Sequence, residues 1–255
     1  MPTVESFAIG TTDRAAAPLG DSRPLHRRLE ETSLNLEPFA HAIFEDFLPP
    51  ERYRALVEVL STEDFAPIAS HRGTRGYDSR DVLYFDTAKP SSECRHPEFW
   101  SALLADVFFN REFTLAFVRK VAPHTPFQSA KAFLERPIRL NLQVIRDRAG
   151  YALGPHTDVN VKLGTLLLYV PEVSGEFEGA GTVLFRHSDP SFSCPAGSRH
   201  YRFDGFQDVK SAPYKSNSAF LFARSARSFH GVKAVPSGRT RYLLQYSIQR
   251  IHALA

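Results

Sequence analysis

After Pro137 the chain breaks into short apolar runs separated by clusters of Gly, Pro, Ser and Asp, and no other feature limits the fold as much. The runs at 138–145, 162–170, 182–186, 201–203, 218–222 and 241–249 have the length and residue types of β-strands. The half before Pro137 reads differently. Pro49 and Pro50 suit the first turn of a helix and could not serve its interior, and Leu56, Val57, Val59 and Leu60 give that helix an apolar face. A second helical pattern spans 99–121, with Leu103, Leu104, Val107, Phe108 and Phe113 on the buried side. Short strands are expected at 39–47 and 82–85. Several short strands after a mainly helical half predict an α+β fold with a mainly β core, an antiparallel sandwich or barrel with the N-terminal helices packed on one sheet.

Residues 1–34 mix Ala, Pro, Asp, Arg and Glu without period and read as a flexible N-terminal arm holding one short helix over 25–32. No composition shift divides the remainder, so 35–255 is expected to form one domain. With 43% hydrophobic and 23% charged residues among 255, the chain can bury a full core. Its net charge of +3 is too small to argue for nucleic acid, and no apolar run approaches a membrane span. The segment from Met1 to Gly20 has no apolar stretch of the kind a secretory signal needs. Cys94 and Cys194 are the only cysteines, too few for a disulfide framework or a zinc ribbon, and a reducing cytoplasm fits.

Ten histidines call for individual reading. In Gly154-Pro-His156-Thr-Asp158 an extended backbone would point residues i and i+2 the same way, offering an imidazole beside a carboxylate. Spacing alone does not separate this from a loop pair that solvates a turn. His187-Ser-Asp189 repeats the spacing, but Pro190 follows it in a turn-rich stretch, where an exposed histidine and an Asx-turn are expected. A third neighbourhood is Ser228-Phe-His230. Two histidines and one carboxylate on one face of an octahedron form the triad of non-haem Fe(II) oxygenases. Ser237-Gly238 suits a two-residue hairpin loop. That hairpin would set His230 opposite Gln245 and put Arg241 on the face of His230, with Arg239 on the same face further out. A guanidinium is the fitting anchor for a distal carboxylate, because its planar fork makes two charge-assisted hydrogen bonds.

With His156, Asp158, His230 and Arg241 in that order, the sequence resembles the Fe(II)/2-oxoglutarate-dependent oxygenase superfamily, and its small bacterial, prolyl-hydroxylase-like branch. The stretches at 38–50, 154–169, 179–185 and 217–222 are similar to that branch, and the resemblance covers about 38–250. It implies a double-stranded β-helix (jelly roll, cupin-like). It implies Fe(II) held by His156, Asp158 and His230, 2-oxoglutarate with its far carboxylate on Arg241, and O2 as co-oxidant, with release of succinate and CO2. Arg239 competes with Arg241 as anchor. The tyrosine many relatives use on the first core strand has no clear counterpart; Asn141, Gln143 or Tyr151 would stand in for it. Halogenating relatives replace the carboxylate by a small residue, so Asp158 implies hydroxylation, desaturation or ring closure. Arg72, Arg75 and Arg80 precede the core and could hold an anionic substrate group, as could Lys162, Arg224 and Arg227; an ordinary solvated loop explains the first three as well. The expected substrate is a small molecule such as an amino acid or biosynthetic intermediate. Two other functions use the same residues: a non-catalytic ligand-binding β-helix, and a zinc hydrolase with the same three ligands. No Glu beside either histidine offers the hydrolase a general base.

Overall fold

The computed structural model describes residues 23–68, 78–88, 91–197 and 199–251. In chain order the strands are β1 (His41–Phe44), β2 (Ala66–Pro67), β3 (Arg80–Asp86), β4 (Ile138–Arg148), β5 (Leu153–His156), β6 (Lys162–Tyr169), β7 (Thr182–His187), β8 (Phe206–Ala212), β9 (Ala219–Ala223), β10 (His230–Val232) and β11 (Thr240–Arg250). Among the described residues they form a seven-stranded sheet, β1-β9-β6-β11-β4-β3-β2, and a four-stranded one, β5-β10-β7-β8. All the pairings are antiparallel.

The large sheet separates two interiors by side-chain alternation. Leu166 and Leu168 of β6, Leu221 of β9, Leu142 and Val144 of β4, and Leu244, Tyr246 and Ile248 of β11 pack against the helices. The alternate residues Leu167, Phe220, Ile145 and Leu243 face the small sheet and meet its Leu184 and Ala212. The helices are α1 (Leu25–Glu31), α2 (Pro50–Thr62), α3 (Pro97–Leu103), α4 (Arg111–Val121) and α5 (Ala130–Leu134). The helix expected over 99–121 is divided. After a π turn at Leu104–Phe108, the Asn110 side chain accepts from the amides of Glu112 and Phe113 and caps a new helix. Helix α1 is docked rather than loose: Leu29 is buried in the core, and Arg28 donates to the carbonyls of Glu45, Asp46 and Phe47. The rest of the expected arm, residues 1–22, lies outside the described residues.

Three further expectations change. The strand expected at 39–47 is shorter, since Asp46 takes a left-handed φ of 48°. Residues 201–203 form no strand, whereas β8 was not anticipated: it is an edge strand with most side chains in solvent, and so lacks apolar alternation. The turn at Ser237-Gly238 forms, with the Arg239 amide donating to Pro236 and Gly238 at φ 73°. Its flanking strands do not pair with each other. β10 joins β5 and β7, while β11 joins β4 and β6. The eleven residues of β11 bury apolar side chains on both faces and need a partner along each edge, which a three-residue strand could not supply.

His41 on β1 is 1% exposed; its Nδ1 donates to the Phe39 carbonyl, and its Nε2 has no hydrogen-bond partner among the described residues. Burial therefore pushes its pKa below the ordinary imidazole value of 6.5. A lowered histidine pKa stabilises the fold above that value and loses the contribution as pH falls beneath it. His41→Phe should lose less stability than wild type between about pH 6.5 and 5, by at most ~1.4 kcal/mol per pH unit. Urea unfolding at several pH values measures this; identical pH profiles would remove His41 from the account.

Candidate metal centre

The antiparallel pairing of β10 with β5 sets His230 opposite His156. Their rings lie 4.3 Å apart, and Asp158 follows β5 so that the candidate ligand atoms of all three residues fall within 4.8 Å of one another. All three residues are buried. His156 Nδ1 is 3.0 Å from the Gly154 carbonyl, and His230 Nδ1 is 2.9 Å from the Ser228 carbonyl. A carbonyl can only accept, so Nδ1 carries the proton in both rings and each Nε2 keeps its lone pair. Burial lowers the pKa of both histidines, for His156 with help from its neighbour His230, and holds them in the neutral, ligating form.

Burial is the largest single influence on Asp158 and opposes its ionisation, but the Lys162 ammonium and its hydrogen bond, together with His230 and His156, outweigh it, and the carboxyl titrates well below its usual range. Lys162 Nζ donates to Asp158 Oδ1 at 2.8 Å and Thr165 Oγ1 to Oδ2 at 2.6 Å. A carboxylate offers about four lone-pair directions, so both oxygens retain room for a cation. The Asp158 backbone is held too. Arg224 donates to the carbonyls of Asp158, Cys194 and Pro195, and Gly197 packs where a Cβ would stand 2.0 Å from the Asp158 carbonyl oxygen. Two neutral imidazoles and one carboxylate suit a divalent transition metal.

The pocket beside these ligands is lined by Arg80, Leu153, Thr165, Leu167, Thr182, Phe222, Val232, Arg241, Leu243 and Gln245 among others. Arg241 is 2% exposed at its inner end, where Nε donates to the Ala180 carbonyl at 2.6 Å, Nη1 to Asp147 at 3.0 Å and Nη2 to Thr182 Oγ1 at 3.3 Å. Arg80 grips the same Asp147 carboxylate with two bonds, 2.5 and 2.9 Å, and its guanidinium lies 4.1 Å over the Tyr151 ring.

The structure thus gathers His156, Asp158, His230, Arg241, Arg80 and Lys162 at one place. Asn141 and Gln143 share the inner face of β4 with Asp147. Gln143 donates to Asn141, and Asn141 to Asp86 and the Phe85 carbonyl. Arg239 and Arg227 are exposed and do not line the pocket. Arg224 is buried but pointed at backbone carbonyls, so it shapes the Asp158 loop instead of facing the pocket. Arg72 and Arg75 lie outside the described residues. His187 is stacked on Phe192, and Asp189 accepts from the Ser191 amide in the expected Asx-turn, away from the ligand cluster. Sequence reasoning missed Thr165, Thr182, Asp147, Gln245 and His200, whose ring meets that of His156 at 4.8 Å. Thr165 left a signal, a hydroxyl inside the mostly apolar run 163–169; Asp147 left none, because β4 also carries Arg139, Asn141, Gln143, Arg146 and Arg148.

No protein-family model and no curated protein matches the sequence. Solved structures do. A prolyl 4-hydroxylase from Phytophthora capsici aligns at 18% identity and a TM-score of 0.50, over 94% of this chain and 68% of that one. A prolyl hydroxylase from Trichoplax adhaerens, in complex with a hypoxia inducible factor peptide fragment, aligns at 11% identity and a TM-score of 0.50, over 88% and 90%. This chain has the prolyl hydroxylase fold. HygX from Streptomyces hygroscopicus, with nickel, 2-oxoglutarate and hygromycin B bound, aligns at 12% identity and a TM-score of 0.47, over 90% and 87%. No helix among the described residues is long and apolar enough to cross a membrane.

Groups that orient a ligand without touching the metal commonly change affinity 10–100-fold. Thr165→Val keeps the shape and removes the hydroxyl that holds Asp158 Oδ2. It should weaken Fe(II) binding about tenfold in a chelator competition while leaving the unfolding midpoint near wild type. Unchanged metal affinity would show that Lys162 alone orients the carboxylate.

Proposed function

We propose that the protein is an Fe(II)- and 2-oxoglutarate-dependent dioxygenase acting on a small molecule. Convergence of His156, Asp158 and His230 within 4.8 Å carries this reading. The two facing sheets are read as a double-stranded β-helix within one domain over 35–255. His156 Nε2, His230 Nε2 and an Asp158 oxygen would hold the iron. The cosubstrate would lie along the pocket with its distal carboxylate on Arg241, which is buried, forked and aimed by three separate acceptors. When bound, iron and 2-oxoglutarate supply the oxidising power: O2 is consumed, 2-oxoglutarate goes to succinate and CO2, and a substrate carbon is hydroxylated, desaturated or closed into a ring.

The protein's own part is position and dryness rather than proton transfer. Leu153, Leu167, Phe222, Val232 and Leu243 exclude water from the space between the ligands and Arg241. Phe222 lies 4.3 Å from the His230 ring and limits its rotation. Among the described residues Asp158 is the carboxylate that clusters with the two histidines, and it is tied to Lys162, so it does not serve as a separate general base for a hydrolytic zinc site.

Anaerobically prepared protein given Fe(II), ascorbate, 2-oxoglutarate and air should release succinate, at least in the uncoupled reaction. His156→Ala should release none, a chelator should stop the wild type, and Arg241→Leu should raise the KM for 2-oxoglutarate at least tenfold. Succinate release that survives His156→Ala would sink the reading. A panel of free amino acids scored for stimulated succinate release then narrows the substrate.

A further inference from the structure

A β-bulge delivers one cation to the ligand cluster. In the pairing of β6 with β11, Ile248 faces Gly164 but Gln249 faces Lys162, so β6 holds one extra residue there. Leu163 and Leu166 both pack against the helices. In a regular strand Lys162 would alternate onto the side of Leu166. The extra residue turns it to the inner face instead, where its side chain is 12% exposed and Nζ lies 2.8 Å from Asp158 Oδ1. Among the described residues no other Lys or Arg is bonded to that carboxylate, since the nearby Arg224 is spent on backbone carbonyls.

Thr165 and Lys162 both hold Asp158, but only one of them is charged. The Thr165 hydroxyl orients Oδ2 and leaves the carboxylate its full negative charge. The Lys162 ammonium orients Oδ1 and also offsets that charge before any metal arrives. A divalent cation and an ammonium on the same buried carboxylate repel each other, and burial leaves that repulsion poorly screened. Lys162 therefore opposes the metal and attracts an anion to the loaded centre. Both effects are the difference made by one side chain, whatever other charges surround the pocket.

Resting on the metal site of the oxygenase reading above, we propose that Lys162 is a positioning residue that weakens the hold of the three ligands on their metal and strengthens the hold of the bound metal on an anionic ligand, the 2-oxo acid. The bulge in β6 is what brings it there.

The test separates charge from orientation, with Co(II) in place of iron. Metal affinity is read by competition with a chelator. Anion affinity is read from the visible spectrum of the Co(II) protein, titrated with 2-oxoglutarate and with azide, which needs only an open metal position. Lys162→Met should bind Co(II) about tenfold more tightly and both anions about fivefold more weakly. Lys162→Arg keeps the charge and should stay within about threefold of wild type in all three measurements. A role in orientation alone predicts weaker metal binding in Lys162→Met, as for Thr165→Val. Should K162M not fold, K162Q removes the same charge and is read against the same values. Metal binding that is unchanged or weaker in the uncharged variant, anion binding that is unchanged or tighter there, or an arginine variant that behaves like K162M overturns the assignment alone. Wild type that takes Co(II) and azide but no 2-oxoglutarate overturns the oxygenase reading, and the metal and azide measurements still decide the assignment. Wild type that takes no divalent metal overturns both.

Discussion

The direct opposition of His156 and His230 across β5 and β10 is the contact around which the rest of the site is arranged. Two imidazoles reach a ring separation of 4.3 Å here because the backbones beneath them come unusually close. A Cβ on Gly231 would stand 2.3 Å from the Leu153 carbonyl oxygen, and one on Gly154 would stand 2.1 Å from that of Tyr201. A larger residue at 231 would have to push β10 away from β5 and separate the rings, and one at 154 would displace the Tyr201 backbone that packs on β5. β10 is only three residues long, yet it is held on both sides, by β5 and by β7. The imidazoles thus sit on strands rather than on a free loop, and their Nδ1 protons are fixed by the same backbone. The geometry of the ligand set follows from main-chain hydrogen bonding.

Behind that contact stands the division of labour in the large sheet. Its outer face is continuous apolar surface packed on helices, with Phe108, Phe113 and Phe117 gathered around the ring of Tyr246. Each fully buried side chain of this size contributes ~1.5–3 kcal/mol, so this layer supplies most of the stability. The inner face carries Asn141, Gln143, Asp147, Arg241 and Ser247, polar groups that a core would ordinarily exclude. A sheet whose inner residues face a pocket instead of oil must take its rigidity from the other side.

How much of this was legible in the residues depended on whether a feature left a local trace. Strands β4, β6, β9 and β11 were visible as short apolar runs between turn residues, because β6 and β9 are buried on both faces and β4 and β11 over most of their length. The ligand pair His156 and Asp158 was visible as a two-residue spacing, and Arg241 as a cation on an apolar strand. Pairing was not visible. A turn at Ser237-Gly238 reads the same whether its flanks join each other or two different sheets, and only the number of edges β11 must satisfy decides between them. Arg224 illustrates the same limit. In sequence it is a basic residue near His230; in space its fork is spent on three carbonyls. Arg239 differs from Arg241 by two positions, and the start of β11 between them puts one in solvent and the other in the core.

The buried charges explain why such an inner face can persist. Asp158 is paired with Lys162 and Asp147 with two arginines, while Asp86 is bound by Arg139. Each carboxylate also has a further donor: Thr165 for Asp158, a second guanidinium for Asp147, and Asn141 for Asp86. Replacing a buried ion pair by apolar groups often costs nothing, so these pairs are weak arguments for stability. They are stronger arguments for placement. A carboxylate held by two independent donors has one orientation, and the ligands and guanidiniums beside it inherit that orientation before any metal or cosubstrate arrives. The helices and the outer face of the sheet hold the fold together, which frees the inner face to keep charged groups at fixed positions.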